Sequence, residues 1–274
     1  MLGHTLYLEL KKTFEVLGVC RSQKWHPDLV SGIDTNDLGK VSEVVQKFKP
    51  DFILNAVGVI KQLDISKNKL HSIEINSLWP HKLCEIASEV GAKVVHFSTD
   101  CVFTGQKGDY TEADLTDARD TYGLTKLMGE VDYAHSLTLR TSIIGHELRS
   151  NVSLIDWFLS QQNECSGFQK AIYSGFPTIT IARFLKKYVF ENWFSGMYHF
   201  SSEPINKFEL LNLVAKQYDK QIKINPNTEF KIDRSLNSDK LRKLTGYVPP
   251  TWPELVAEMH GFYIENKELY KDKK

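Results

Sequence analysis

The chain has 274 residues, 42% of them hydrophobic and 25% charged, so it can bury a full core as one or two domains. Lys plus Arg equals Asp plus Glu at 34 each, which argues against a basic field and a nucleic-acid polymer as partner. Four scattered cysteines with no CxxC pair argue against a disulfide framework or a bound metal, and no apolar run approaches the roughly 18 residues of a membrane span. Acidic Glu9 comes too early for a signal peptide, so the expectation is a cytoplasmic protein without membrane contact.

In chain order, Leu2, Leu6, Leu10, Phe14 and Leu17 lie near one stripe and predict a helix over 2–17. A short strand over 18–22 follows. Asp34-Thr35-Asn36-Asp37 is an acidic turn placed to cap a helix over 37–48. Phe52 to Gly58 is an apolar run closed by Asn55-Ala56-Val57-Gly58, as in a buried parallel strand. A helix over 76–90, stopped by Gly91, leads to a strand over 94–98. A polar loop over 105–119 precedes a helix over 122–134 and a strand over 137–142. This helix–strand rhythm is the βαβ signature of a parallel sheet covered on both faces. After Gly145 the rhythm changes. Helices are expected over 152–161, 179–191, 207–218 and 253–266, with a strand over 197–200.

The chemistry concentrates between His96 and Glu130. Tyr122 and Lys126 are four residues apart, so a helix places phenol and ammonium on one face. A cation beside a phenol favours the phenolate, which makes Tyr122 a general acid–base for a carbonyl or alcohol. Thr99, at the end of a strand, can give a second hydrogen bond to the developing oxyanion. A lone Tyr-x-x-x-Lys pair is as a rule only a lysine stem packed over a ring, so the surroundings carry the weight. Arg21 ends the second strand, where an arginine suits a 2′-phosphate and points to NADPH, with NADH as the alternative; a surface arginine is the equal reading. Asp34 is placed either to meet the adenine or only to cap a helix. Asn55, Ala56 and Gly58 offer backbone and small side chains where ligands of open α/β sheets sit. Asn76 is placed to orient Lys126. Cys101 after Asp100 interrupts any Thr-Asp-Glu run, which favours simple reduction over water elimination.

Together, Asn55-Ala56-Val57-Gly58, Ser98-Thr99-Asp100-Cys101-Val102-Phe103-Thr104-Gly105 and Tyr122 to Glu130 resemble the extended short-chain dehydrogenase/reductases. Within these the chain is most similar to the dTDP-4-dehydrorhamnose reductase family, over nearly its whole length. Leu139-Arg140-Thr141-Ser142, Phe176-Pro177-Thr178 and Tyr198-His199-Phe200-Ser201 support the likeness. The resemblance implies a Rossmann-type doubly wound parallel sheet with a smaller C-terminal substrate lobe. Residues 1–150 and roughly 176–202 would bind NADPH; roughly 151–175 and 203–274 would bind the sugar nucleotide. It implies Thr99, Tyr122 and Lys126 as catalytic residues. Gly3, Arg21, Asp34, Asn55, Ala56, Gly58 and Asn76, with Tyr122 and Lys126, would meet the cofactor. Thr99, Asn151 and Thr178 would meet the substrate, in nucleotide-sugar and cell-surface polysaccharide biosynthesis, with a homodimer left open. The competing expectations are a non-catalytic regulatory or binding subunit on the same fold and a sugar-nucleotide epimerase.

Two departures stand out. Cys101 replaces the family's tyrosine after Ser-Thr-Asp, which leaves the identity of the sugar open. At the start, Met1-Leu2-Gly3 matches only the end of the Gly-x-x-Gly-x-x-Gly turn, so the first, central strand and two glycines are missing from the chain. Without that strand the sheet should open and dinucleotide binding should weaken. A start codon assigned too late is the expected reason.

Overall fold

The computed structural model describes residues 1–22, 24–60 and 68–270. Helix α1 (Leu2–Leu10) leads to two short strands, β1 (Val19–Cys20) and β2 (Val30–Ser31), and helix α2 (Leu38–Phe48) to strand β3 (Phe52–Asn55). One helical turn, α3 (Lys69–Ser72), passes through a π-helical stretch at Ile73–Leu78 into α4 (Trp79–Glu89), which returns to β4 (Lys93–Thr99). Helix α5 (Thr121–Met128) feeds β5 (Ser136–Thr141), followed by β6 (Ile143–Ile144) and α6 (Leu154–Ser160). Next come β7 (Glu164–Tyr173), β8 (Phe176–Pro177) and α7 (Thr178–Phe184), which continues as a π-helical turn over Leu185–Val189. Strands β9 (Gly196–His199) and β10 (Ile205–Asn206), helix α8 (Lys207–Gln217), β11 (Lys223–Asp233), α9 (Asp239–Thr245) and α10 (Trp252–Glu265) complete the order.

Four strands form a parallel sheet in the order β3-β4-β5-β9, with Ile53 opposite Val94 and Leu139 between Phe97 and Tyr198. Parallel neighbours need crossover helices, and alternate side chains of β4 serve the two covered faces. Val95 and Phe97 enter the larger core with Leu6 of α1, Ile181 and Phe184 of α7 and Leu255 of α10. Val94 packs on the other face with Val41 and Val45 of α2 and Leu83 and Ala87 of α4. This is the doubly wound α/β arrangement.

Among the described residues β1 pairs only with β2, and β3 only with β4. Among the described residues the strands thus form four sheets: the parallel pair β1-β2, the parallel four-strand sheet, the sheet β10-β7-β11 and the parallel pair β6-β8. No helix among the described residues is long and apolar enough to cross a membrane.

Two local expectations change, and one strand is additional. Helix α1 stops at Leu10 instead of running to residue 17, because Lys11-Lys12-Thr13 turns away and Gly18 must pass against Leu29 and Tyr7 without a Cβ between them. Leu2, Leu6 and Leu10 are buried as the stripe predicts, whereas Phe14 is left half-exposed against Phe190. Strand β11, which was not expected, alternates Ile224, Pro226, Phe230 and Ile232 with polar residues; it is an edge strand parallel to β7, with a register shift between Asn227 and Lys231.

Candidate active site

Strand β4 ends at Thr99 and the chain enters one 3₁₀ turn, Asp100–Val102. The Thr99 hydroxyl accepts from the Cys101 N–H at 3.1 Å and donates to Asp100 Oδ1 at 3.1 Å. Helix α5 opens opposite this turn, capped by Asp120, whose Oδ1 accepts from Gly123 N at 2.9 Å. A Cβ on Gly123 would collide with the Cys101 carbonyl, so the glycine is what lets α5 approach the turn. That approach brings the Tyr122 phenol close to the Thr99 hydroxyl, which tempers the rise of its pKa. The two hydroxyls thus share one side of the sheet's carboxyl end.

Lys126, buried on α5, points inward. Its Nζ donates to Phe97 O at 2.7 Å and lies 3.4 Å from His96 Nε2. Burial lowers its pKa to about 8, with Glu130 opposing. Burial raises the Tyr122 pKa, neighbouring Cys101 adds to the rise, and the Thr99 hydrogen bond works against it. The expectation that Lys126 acidifies the phenol is therefore corrected: the amine is occupied by β4, and desolvation governs both groups.

Asn55 and Asn76 are buried and spend their amides on the protein. Asn55 Oδ1 accepts from Val57 N at 3.2 Å and Trp79 Nε1 at 3.1 Å, while its Nδ2 meets His96 Nδ1 at 3.0 Å. Asn76 Oδ1 accepts from Val59 N at 2.9 Å; its Nδ2 donates to Val59 O at 3.1 Å and Thr125 Oγ1 at 3.3 Å. Asn76 therefore does not orient Lys126. Both asparagines shape the exposed Ala56-Val57-Gly58 loop from behind, and their side chains do not face a ligand.

The other cofactor candidates fall at the edges of the same region. Gly3, exposed near the start of α1, would bring a Cβ to 3.5 Å from Ala56 Cβ. No side chain caps the N-terminus of α1, and this helix start stands beside the Ala56–Gly58 loop, a position that fits a pyrophosphate. Arg21 is exposed just past β1. Asp34 is not the cap of α2; its Oδ1 accepts from Asn36 N at 2.9 Å, and Asp37 takes the cap, accepting from Lys40 N at 3.1 Å. Asn151 is half-buried in the loop before α6. Thr178 is buried, with its hydroxyl 3.0 Å from that of Thr5, so it is turned to α1 and not to an open cleft.

Sequence reading missed the cleft itself. A cavity of about 320 Å³ is lined by Cys101, Phe103, Thr104, Arg119, Asp120 and Arg234, among others. Arg234, from the turn after β11, donates through Nε to Phe103 O at 2.9 Å and through Nη1 to Cys101 Sγ at 3.5 Å. It makes no carboxylate ion pair within 4.0 Å among the described residues. Beneath the cleft Asp100 is buried; burial raises its pKa, and Arg234 is the foremost group holding it down. Nothing in the sequence joins Arg234 to Cys101, 133 positions away.

The profile of the RmlD substrate binding domain family matches residues 1–263. The chain belongs to this family. Among curated relatives of this RmlD-type chain, dTDP-4-dehydrorhamnose reductase of Shigella flexneri is 35% identical over 124 residues, 44% of this chain and 41% of the relative. Methionine adenosyltransferase 2 subunit beta of Xenopus laevis is 32% identical over 133 residues, 47% of this chain and 39% of the relative. The matched part thus spans about two fifths of each relative's length. The crystal structure of dTDP-4-dehydrorhamnose reductase from Bacillus anthracis in complex with NADP superposes with a TM-score of 0.75 at 19% identity, covering 90% of this chain and 99% of that one. At that identity the likeness supports the Rossmann-type fold of the RmlD family member described here.

Proposed function

We propose that this chain reduces the keto group of a 4-keto-6-deoxy sugar nucleotide with NADPH, as a dTDP-4-dehydrorhamnose reductase-like enzyme. The observation that carries the reading is the placing of Tyr122 of α5 close to Thr99 at the carboxyl end of β4. A bound nicotinamide supplies hydride to a carbonyl carbon. Tyr122, kept protonated by its burial, gives its proton to the carbonyl oxygen as charge builds there. Thr99 hydrogen-bonds the same oxygen and offsets that charge. The N-terminus of α1 and the Ala56–Gly58 loop hold the pyrophosphate, and Arg21 meets a 2′-phosphate, which selects NADPH over NADH. The sugar nucleotide lies in the cleft at Cys101, with Arg234 and Arg119 toward its anionic part. On this reading residues 1–150 and about 176–202 serve the cofactor, and about 151–175 and 203–274 the substrate.

The test is loss of NADPH absorbance with dTDP- or UDP-linked 4-keto-6-deoxyhexoses. Substrate-dependent oxidation is expected, and Tyr122→Phe should slow it about 10²–10⁴-fold. Full turnover by Tyr122→Phe overturns the assignment of the proton donor.

A second reading is a non-catalytic subunit on the same fold. The name of the Xenopus relative, a subunit of another enzyme, and the divided sheet favour it. Calorimetry separates the two: no NADPH affinity, together with co-purification of a partner enzyme, is the outcome this second reading requires.

A further inference from the structure

Behind the catalytic pair lies a hydrogen-bonded line of four buried or half-buried groups from four elements: Trp79, Asn55, His96 and Lys126. Its polarity can be worked out from the end that has no choice. Trp79 Nε1 and the Val57 N–H are donors only, and both point at one atom of Asn55, at 3.1 Å and 3.2 Å. That atom is the carbonyl oxygen, because a rotated amide would set an NH₂ group against two donors. The Asn55 NH₂ therefore faces His96 Nδ1 at 3.0 Å, and Nδ1 must accept. A neutral imidazole that accepts at Nδ1 carries its proton at Nε2. The Nε2–H then points at Lys126 Nζ, 3.4 Å away. An N–H aimed at an ammonium is repulsive; aimed at the lone pair of an amine it is a hydrogen bond.

We infer that Asn55 fixes His96 as the Nε2–H tautomer and that His96 thereby favours the neutral amine form of Lys126. The amine still donates to Phe97 O and receives from His96. The alternative of a charged imidazole is opposed by near-complete burial of the ring beside Lys126, with His81 of α4 adding to the opposition. Burial alone takes the lysine down to about 8 with Glu130 opposing, and the His96 N–H pushes the same way as burial. The groups facing this amine are thus Phe97 O and His96 from β4 and, through its charge, Glu130 beyond α5. For catalysis, His96 is a positioning residue that sets the charge with which Lys126 meets an incoming ligand. That consequence rests on the reductase reading; the tautomer does not.

Nitrogen-15 NMR of the imidazoles in the full chain, with His96 assigned through His96→Gln, reads the tautomer directly. A neutral Nε2–H ring between about pH 6 and 9 is expected; an Nδ1–H ring or an imidazolium overturns the inference. Asn55→Asp keeps the shape and can still accept from Trp79 and Val57, and should flip His96 to Nδ1–H. An unchanged ring in that variant also overturns it. The Lys126 Cε signal should titrate near pH 8 in the wild type and about one unit higher in His96→Gln, whose amide oxygen can accept from an ammonium. A titration that does not move refutes control of Lys126 by His96. If these NMR outcomes hold while no sugar nucleotide is reduced, the reductase reading alone fails.

Discussion

Lys126 places its amine against Phe97 O and His96, and this has a measurable consequence for stability. Its pKa falls from 10.5 in a free lysine to about 8 in the folded chain. Between those values the unfolded chain binds more protons than the native one, so stability rises with pH across that window. The full cost of burying the cation is present below pH 8 and is gone above the free value. Lys126→Met should therefore be more stable than the wild type by up to about 3 kcal/mol below pH 8. Urea titrations at a series of pH values check this, and the advantage should shrink as pH rises from 8 toward 10.5. If the chain is the reductase proposed above, the same variant should lose that activity by more than about tenfold, which separates a functional lysine from a structural one.

At the scale of elements, the approach of α5 to the π-helical stretch before α4 decides where Tyr122 stands. Gly129 closes α5 directly against the Asn76 carbonyl, and a Cβ there would overlap that backbone oxygen. The obstacle is backbone, so it cannot rotate aside. Gly129→Ala should cost about 2–4 kcal/mol, visible as a lower urea midpoint with an unchanged slope. Asp120→Ala is the milder counterpart at the other end of α5. It removes the cap on Gly123 N and should cost about 1 kcal/mol while loosening Tyr122.

Across the whole molecule, one buried ion pair binds several elements below the cleft. Arg140 of β5 meets Glu130 through two bonds of 2.7 Å each, and Ser98 of β4 donates to the same carboxylate at 2.6 Å. Arg140 Nη1 also lies 3.3 Å from His199 Nε2 of β9. Removing one charge strands the other, so Arg140→Met should cost about 3–5 kcal/mol, whereas Arg140→Met with Glu130→Leu should recover much of the loss. Denaturant midpoints of the two variants decide this. A cofactor that binds only the folded state should raise the melting temperature, by the equivalent of about 2.7 kcal/mol at a hundredfold excess over Kd. A chain whose strands are divided as these are is the stringent case for that measurement.

Much of the fold was legible because local rules are strong where strands are buried on both faces. The runs at Phe52 and Lys93, the stop at Gly91 and the spacing from Tyr122 to Lys126 are short-range patterns, and the structure places them as strand, strand, helix end and one helix. Strand β11 was missed although Ile224, Pro226, Phe230 and Ile232 alternate with polar residues, because Pro226 argues against a strand and its partner β7 lies some sixty residues away. The meaning of the polar residues was less legible than their positions. Asn55 and Asn76 look like ligand contacts in the sequence and prove to be braces, because burial forces each amide to spend its donors and acceptors on whatever backbone surrounds it. The sequence by itself determined which chemical groups this protein possesses and the helix–strand order that carries them. Which of those groups face one another, as with Arg234 at Cys101 and His96 at Lys126, was decided only by the tertiary structure, since desolvation and hydrogen-bond direction exist only once distant segments have closed around a site.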